Sequence, residues 1–196
     1  MQAASSVPQQ KIQQVAVIGA GQAGRRFALR CAQAGFDVIL EDVMPANLRR
    51  AEADFADLAF NRLDEHNGQG SMNFALTVED AVRDADIAID FVPDELESKL
   101  EIFCLIDRMA PPRTILCTPS EALSITDLAS CTYRGDRCFA IRGELASGGD
   151  VRLLHPADVA WTALEAVAKF FAALGFAVSA GSDPDVPMLM KNAKSL

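Results

Sequence analysis

Short runs of consecutive apolar residues alternate along this chain with longer segments in which apolar residues recur every three or four positions. Continuous apolar runs are typical of strands buried on both faces of a parallel sheet, and the longer pattern is typical of helices that bury one face. The runs predict strands at 15–19, 37–42, 73–76, 86–92, 114–117, 137–142, 150–154 and 176–180. The periodic segments predict helices at 22–35, 45–63, 78–82, 96–110, 124–130 and 158–175.

This alternation of strands and helices predicts an α/β fold, namely a Rossmann-type, doubly wound and mostly parallel sheet with helices on both faces. The glycine-containing loop between 137–142 and 150–154 suggests a hairpin-like connection. Because no repeat or linker divides the chain, we predict a single Rossmann domain over residues 12–182. A flexible N-terminal tail at 1–11 and a C-terminal tail at 183–196 complete the predicted organisation.

A glycine-rich turn, G-A-G-Q-A-G, joins the first predicted strand to the first predicted helix. Gly19 permits the tight turn, Gly21 lets a pyrophosphate approach the backbone, and Gly24 lets the helix pack closely on the strand. The helix N-terminus offers N–H groups and a partial positive charge to phosphates. We therefore predict dinucleotide binding by Gly19, Ala20, Gly21, Gln22, Ala23 and Gly24. The alternative is a turn that only packs a helix.

An acidic residue at the end of the second predicted strand strengthens this interpretation. Asp42 stands 18 residues after Gly24, near the spacing of about 20 expected for an acid that accepts hydrogen bonds from the ribose. A carboxylate there repels the extra phosphate of NADP, so we expect the cofactor to be NAD. Glu41 alternates to the other face of the strand and is the weaker candidate. Arg49 and Arg50 keep NADP open as an alternative.

The composition narrows the classes of partner. Half of the 196 residues are apolar and 23% are charged, which is typical of a globular chain. The net charge of −9 disfavours nucleic acid and membrane surfaces as partners. The first ten residues lack the apolar run of a secretory signal, and no apolar stretch reaches the roughly 18 residues of a membrane span. We therefore expect a cytoplasmic protein.

Five cysteines and two histidines are the candidates for thiol or metal chemistry. The cysteine number is odd and no C-x-x-C pair occurs, so we expect reduced, buried thiols and no metal site. Cys117 is interpreted as a buried strand residue, since no neighbouring base is placed to activate it. His155 is interpreted as a surface or capping residue, and His66 as a partner of a helix C-terminus.

Two long segments extend the glycine loop into a resemblance. VAVIGAGQAGRRFALRCAQAGFDVILEDV (15–43) and ADIAIDFVPDELESKLEIFCLIDRMAPPRTILCTPSEALSITDLA (85–129) resemble the NAD-binding domain of the 3-hydroxyacyl-CoA dehydrogenases. The resemblance is good over about 12–155 and loose over 156–190. It implies that Val92, Pro93 and Glu95 lie beside the cofactor. It also implies that the segment from Thr118 to Glu121 faces the nicotinamide.

The resemblance also implies a His general base, oriented by a Glu on the following strand. In this sequence the His position is Arg142 and the Glu position is Arg152. An arginine keeps its proton at any working pH, so it cannot act as a base. The family's substrate-contacting Ser and Asn positions fall on Glu121 and Pro119. We therefore assign no catalytic residue in this chain.

The family's proteins continue into a helical C-terminal domain, which carries part of the substrate site and most of the dimer contact. This sequence does not include that domain. An apolar stripe of Trp161, Leu164, Ala168 and Phe171 on the last predicted helix is interpreted as core packing against the sheet. The alternative is an exposed patch that contacts a partner. We accordingly expect a homodimer or a partner subunit.

These observations lead to two main hypotheses. The first is an NAD(H)-binding protein related to the 3-hydroxyacyl-CoA dehydrogenases of fatty acid metabolism, degenerate or dependent on a partner for catalysis. If it is an enzyme, it is an NAD-dependent oxidoreductase. The second is a non-catalytic module that binds or senses NAD(H) or serves an interaction. A third possibility is a fold whose glycine loop no longer binds anything. Fold alone does not decide between them.

Overall fold

The computed structural model describes residues 10–61, 70–146 and 148–184. Within them, eight strands form one sheet. The strands are β1 (Gln14–Ile18), β2 (Asp37–Glu41), β3 (Met72–Ala75), β4 (Ile87–Asp90), β5 (Ile115–Pro119), β6 (Cys138–Arg142), β7 (Gly149–His155) and β8 (Phe176–Ser182). The inner strands β1, β4, β5 and β6 are almost wholly buried and form where the sequence carries short apolar runs, because both faces of the sheet are covered there.

Six helices connect these strands within the described residues. They are α1 (Gln22–Gln33), α2 (Pro45–Asn61), α3 (Val78–Val82), α4 (Leu96–Met109), α5 (Ile125–Ala129) and α6 (Trp161–Ala173). One core cluster combines one face of the sheet with residues of α1, α2 and α6, and a second combines the other face with residues of α3, α4 and α5. The predicted doubly wound fold is therefore confirmed.

The strand order is β3-β2-β1-β4-β5-β6-β7-β8. Neighbouring strands from β3 to β6 are parallel, β7 is antiparallel to β6, and β8 is parallel to β7. The hairpin-like connection between β6 and β7 is thus confirmed. The order reverses between β1 and β4, and ligands of open α/β sheets bind at the carboxyl ends of strands beside such a reversal.

Two interpretations of single residues are wrong. Trp161, the first residue of α6, is 74% exposed, although Ala163 and Leu164 of the same helical turn are buried. His155 is only 6% exposed, because β7 continues through it and pairs it with Ser182 of β8. The His155 Nδ1 atom lies 2.8 Å from the Pro156 carbonyl oxygen. The other members of the apolar stripe on α6 are buried or half-buried, as predicted.

Several predictions concern residues outside the described ones. The end of the second helix near residue 63, His66, most of the tail at 1–11 and most of the tail at 183–196 fall in this group, and the domain limits stay a prediction. None of the helices that the structure describes has the length and hydropathy of a membrane span. Cys31, Cys117 and Cys138 are buried free thiols, while Cys104 and Cys131 are half-buried free thiols.

Candidate dinucleotide site

The turn between β1 and α1 depends on two glycines. Gly19 has φ +99°, a left-handed conformation that L side chains rarely adopt. A Cβ atom on Gly24 would lie 1.9 Å from the Gly19 carbonyl oxygen, which is a backbone atom that cannot move aside without moving the strand. The backbone of α1 therefore lies directly against the end of β1, as the spacing of the glycines predicts.

Gly21 has a different environment. A Cβ atom built there meets no atom within 4 Å, and Gly21, Gln22 and Ala23 are all exposed. Gly21 is the N-cap of α1, no side chain of the described residues caps this helix, and its first turn has no acidic residue. The N–H groups and the positive end of the helix dipole thus face an open space, which fits a pyrophosphate.

Asp42, immediately after β2, holds this turn in place. Its Oδ2 atom accepts hydrogen bonds from the Ala20 N–H (2.9 Å) and the Asn47 Nδ2 atom (3.0 Å). Its Oδ1 atom accepts a hydrogen bond from the Met44 N–H (2.8 Å). The structure therefore brings the sequence-predicted acid and the glycine loop together. A carboxylate has about four acceptor positions, so one stays available to a ribose hydroxyl.

Arg25 is a residue of this site that the sequence analysis missed. Its Nη1 atom donates a hydrogen bond to the Ala20 carbonyl oxygen (3.2 Å), and its Nε atom lies 3.1 Å from Asp54 Oδ2 on α2. The guanidinium thus fixes the glycine loop to a neighbouring helix and adds a positive charge next to the open N-terminus of α1. Such a charge favours phosphate groups.

The residue before Asp42 is also unusual. Glu41 is 3% exposed, and its Oε1 atom has no hydrogen-bond partner among the described residues. Burial is the main cause that raises the pKa of the Glu41 carboxyl from 4.5 to about 7, and repulsion from Asp42 is the second cause. The Glu41 carboxyl is therefore buried and does not point to the solvent side on which Asp42 lies. This difference supports the choice of Asp42 as the ribose partner.

Three apolar side chains are exposed beside Asp42. Val43, Met44 and Leu76 are 75%, 57% and 54% exposed. They come together because Val43 and Met44 follow β2, Leu76 follows β3, and the Asp42 N–H bonds the Ala75 carbonyl oxygen (3.2 Å). Exposed apolar side chains next to a polar anchor suit a flat, weakly polar ring such as adenine.

The loops after β4 and β5 form the other half of this edge. Val92 is half-buried, Pro93 and Glu95 are exposed, and Thr118 is fully buried at the end of β5. The Glu121 N–H donates a hydrogen bond to Asp94 Oδ2 (2.9 Å), which joins the two loops. The side chain of Thr118 is therefore covered by protein, whereas Pro93, Glu95 and Glu121 on the two loops are exposed.

Arg142, at the end of β6, connects this strand to the loop after β5. Its Nη1 atom donates a hydrogen bond to the Ser120 carbonyl oxygen, and its Nη2 atom donates one to the Leu123 carbonyl oxygen (2.7 Å). The guanidinium thus fastens the loop after β5 to β6. Arg152 pairs directly with Arg142 across the strands, but it is exposed and its Nη2 atom lies near Gly181 of β8.

A buried ion pair lies under the loop after β4. The Lys99 Nζ atom is 2.8 Å from Asp90 Oδ1, and both side chains are at most 1% exposed. Burial raises the pKa of Asp90, and the Lys99 ammonium opposes that shift. Because Asp90 ends β4 and Lys99 lies on the first turns of α4, the pair fixes the start of α4 below the loop that carries Val92 to Glu95.

Strand order, glycine turn and acid together define a Rossmann domain that binds dinucleotides. The family profile described as "3-hydroxyacyl-CoA dehydrogenase, NAD binding domain" matches residues 14–142. The chain therefore belongs to the 3-hydroxyacyl-CoA dehydrogenase family, as a NAD-binding domain, and its cofactor is NAD. Among the described residues, no three His, Cys, Asp or Glu side chains cluster as metal ligands.

Individual relatives agree with this assignment. The chain is 36% identical over 139 residues to a probable 3-hydroxybutyryl-CoA dehydrogenase from Bacillus subtilis, a match that covers 67% of the chain and 48% of the relative. It is 31% identical over 122 residues to 5-formyl-3-hydroxy-2-methylpyridine 4-carboxylate 5-dehydrogenase from Mesorhizobium japonicum, covering 60% of the chain and 40% of the relative. The chain thus spans about half the length of these relatives or less.

The fold comparison gives the same result. The structure of (S)-3-hydroxybutyryl-CoA dehydrogenase from Ralstonia eutropha superposes with a TM-score of 0.77 at 23% identity. The superposition covers 88% of this chain and 64% of that protein. At this identity the likeness establishes the fold, and the chemistry of the site has to be judged from its own residues.

Alanine substitutions at Gly21 and Gly24 should affect different properties of the protein. Gly24→Ala should lower the free energy of unfolding by about 3 kcal/mol, because its Cβ would overlap the Gly19 backbone oxygen. Gly21→Ala should change it by less than about 1 kcal/mol but weaken NADH binding at least roughly tenfold, because the methyl group enters the pyrophosphate space. Urea unfolding and NADH fluorescence titrations measure both. Equal effects on stability would contradict the assignment.

Glu41 predicts a pH dependence of stability. Because the folded protein holds the Glu41 proton up to about pH 7 and the unfolded chain releases it near 4.5, stability should fall as the pH rises through this window. Glu41→Gln should remove about 1–3 kcal/mol of the difference between pH 5 and pH 8 in urea unfolding. The matched control is Glu97→Gln, at an exposed position of α4. An unchanged difference in Glu41→Gln would show that this carboxyl titrates normally.

Proposed function

We propose that this chain binds NAD(H) through the glycine loop and Asp42, and that by itself it does not dehydrogenate 3-hydroxyacyl groups. Gly19 to Gly24 would receive the pyrophosphate at the N-terminus of α1, and Asp42 would accept a hydrogen bond from the ribose. Val43 would contact the adenine. The single observation behind this assignment is the open space over Gly21, which faces an uncapped helix end.

On the nicotinamide side, the proposal places Val92, Pro93, Glu95 and Thr118 next to the cofactor. Val92, Pro93 and Glu95 lie on the accessible loop after β4, which suits this role. Because Thr118 is buried, its role would be to support the end of β5 beneath the cofactor. Bound NAD would supply a hydride acceptor there, and NADH a hydride donor.

The non-catalytic part of the proposal depends on Arg142. This residue stands where the family resemblance places the general base, and its guanidinium is engaged by the Ser120 and Leu123 carbonyl oxygens. An arginine cannot take a proton from a substrate hydroxyl at neutral pH. Loss of a general base costs a factor of roughly 10²–10⁴ in rate. We therefore favour a module that binds or senses NAD(H).

A second candidate function is an oxidoreductase whose site is completed by another chain or domain. The match to about half of each relative favours it. In that case the added part would have to supply both the base and a wall of the substrate site.

The cytoplasmic location stays part of the proposal and rests on the composition and the five free thiols. Nucleic acid and membrane surfaces are not expected as partners, because the chain is acidic.

The proposed cofactor site is tested by titrating the protein with NADH and NADPH and following nicotinamide fluorescence. We expect NADH to bind more tightly than NADPH. Asp42→Ala should weaken NADH binding roughly tenfold or more, because it removes the ribose acceptor and three hydrogen bonds within the turn. Asp42→Asn keeps an acceptor but removes the charge, so it should mainly reduce the preference over NADPH.

The outcomes of this experiment separate the candidates. Absence of binding to either nucleotide would leave the glycine loop as a structural turn and refute the proposal. Binding without NADH formation from 3-hydroxybutyryl-CoA and NAD supports the non-catalytic module. Turnover by the chain alone would contradict it, and turnover only after addition of a second chain would support the second candidate.

Trp161 supports the proposed homodimer or partner subunit, since a large aromatic side chain that is 74% exposed is typical of contact surfaces. For a homodimer, light scattering at micromolar concentration should give twice the chain mass of 21.0 kDa. Trp161→Ser should shift the mass towards the monomer. A monomeric wild-type protein would refute the homodimer and leave only a partner of different sequence.

A further inference from the structure

An open cavity of about 300 Å³ lies far from the cofactor site. Its walls come from the residues that precede β1, from Phe36 directly before β2, and from the second half of α6. Since Phe36 precedes β2 and Asp42 follows it, the cavity lies at the opposite end of this strand from the dinucleotide site. It therefore belongs neither to the cofactor site nor to the crevice on the nicotinamide side.

The floor of the cavity is apolar. Ile12, Ala166 and Phe170 are buried with at most 7% exposure, and Phe36 is half-buried. The rings of Phe36 and Phe170 meet edge to face, with centroids 4.9 Å apart. Rings held in this way give a wall of fixed shape, which is what an apolar ligand segment requires.

The rim of the cavity is cationic. Lys11 and Lys169 line it, and none of the residues that line it is acidic. Lys169 also pairs with Glu165 one helical turn away (2.8 Å), whereas Lys11 has no acidic partner among the described residues. This cationic rim contrasts with the net charge of −9 of the whole chain.

The third polar group at the rim is held in place by the fold. The Gln10 Nε2 atom donates to the Arg113 carbonyl oxygen (2.8 Å), and the Gln10 Oε1 atom accepts from Arg137 Nη1 (2.8 Å). Arg137, which also pairs with Asp136 (4.0 Å), thus holds Gln10 in place from behind the rim. An apolar floor below a cationic rim matches a ligand with one hydrocarbon segment and one negative charge.

We propose that this cavity is a binding site for an amphipathic monocarboxylate, with its hydrocarbon chain on Ile12, Phe36 and Phe170 and its carboxylate between Lys11 and Lys169. A volume of about 300 Å³ is at the lower end of small-molecule sites, so a medium-length chain fits and a coenzyme A ester does not. The site is independent of the dinucleotide, because none of its residues belongs to the glycine loop or to Asp42.

The test uses the full chain without nucleotide, so its result does not depend on the proposed cofactor function. Decanoate is titrated into ¹⁵N-labelled protein while the backbone amide shifts of the lining residues are followed. We expect saturable shifts at these amides. We also expect decanol, which has the same chain but no charge, to bind at least roughly tenfold more weakly.

Two variants probe the two parts of the cavity. Lys11→Glu combined with Lys169→Glu should lower decanoate affinity at least roughly tenfold. The double variant Arg83→Glu, Arg108→Glu changes the net charge equally at exposed positions outside the cavity and should bind like the wild type. Ala166→Phe should abolish binding by filling the cavity. If that variant does not fold, the two double variants still decide.

Three results would overturn the proposal. The first is the absence of saturable shifts at the lining amides. The second is equal affinity for decanol and decanoate, or equal loss in both double variants, which would show that the lysines do not recognise a carboxylate. The third is a response of the lining amides to protein concentration instead of decanoate, which would mean that a second copy of the chain covers the cavity.

Discussion

The close approach of α1 to the end of β1 is the contact on which the cofactor half of the molecule depends. A Cβ at Gly24 would lie 1.9 Å from the Gly19 carbonyl oxygen, so the helix can reach its position only with a glycine there. The same approach places the helix N-terminus at the carboxyl edge of the sheet, beside the reversal of strand order. The position of the positive helix end, where the proposed pyrophosphate would bind, follows from this contact.

On the other half of that edge, Arg142 makes structural contacts. Where the family resemblance places a base and its orienting acid, two arginines stand directly opposite each other on β6 and β7. Arg142 donates to two carbonyl oxygens of the loop after β5, and Arg152 extends over β8. The two hydrogen bonds that Arg142 donates to backbone oxygens stabilise this loop, and a guanidinium keeps its proton at neutral pH. The chain thus combines an open, glycine-lined helix end with a loop after β5 that hydrogen bonds fasten to β6.

Much of this architecture could be predicted from the sequence because it depends on local patterns. Apolar runs located the strands, and the spacing of Gly19, Gly21 and Gly24 with Asp42 indicated the candidate site. Features that depend on contacts between distant segments could not be predicted. The hydrogen bonds of Arg142 join residues about twenty positions apart. Trp161 is exposed whereas Leu164 and Phe171 on the same helical stripe are buried, a difference that helical periodicity does not reveal. The burial of His155 likewise depends on its pairing with β8.

The three hydrogen bonds of Asp42 have a thermodynamic consequence. The carboxylate that would receive the ribose is the same group that orders the Ala20 and Met44 backbone. A substitution of Asp42 should therefore change both the nucleotide affinity and the conformational order of the turn. A less ordered turn should bind the nucleotide more weakly. Conversely, bound nucleotide should raise the free energy needed to open the turn.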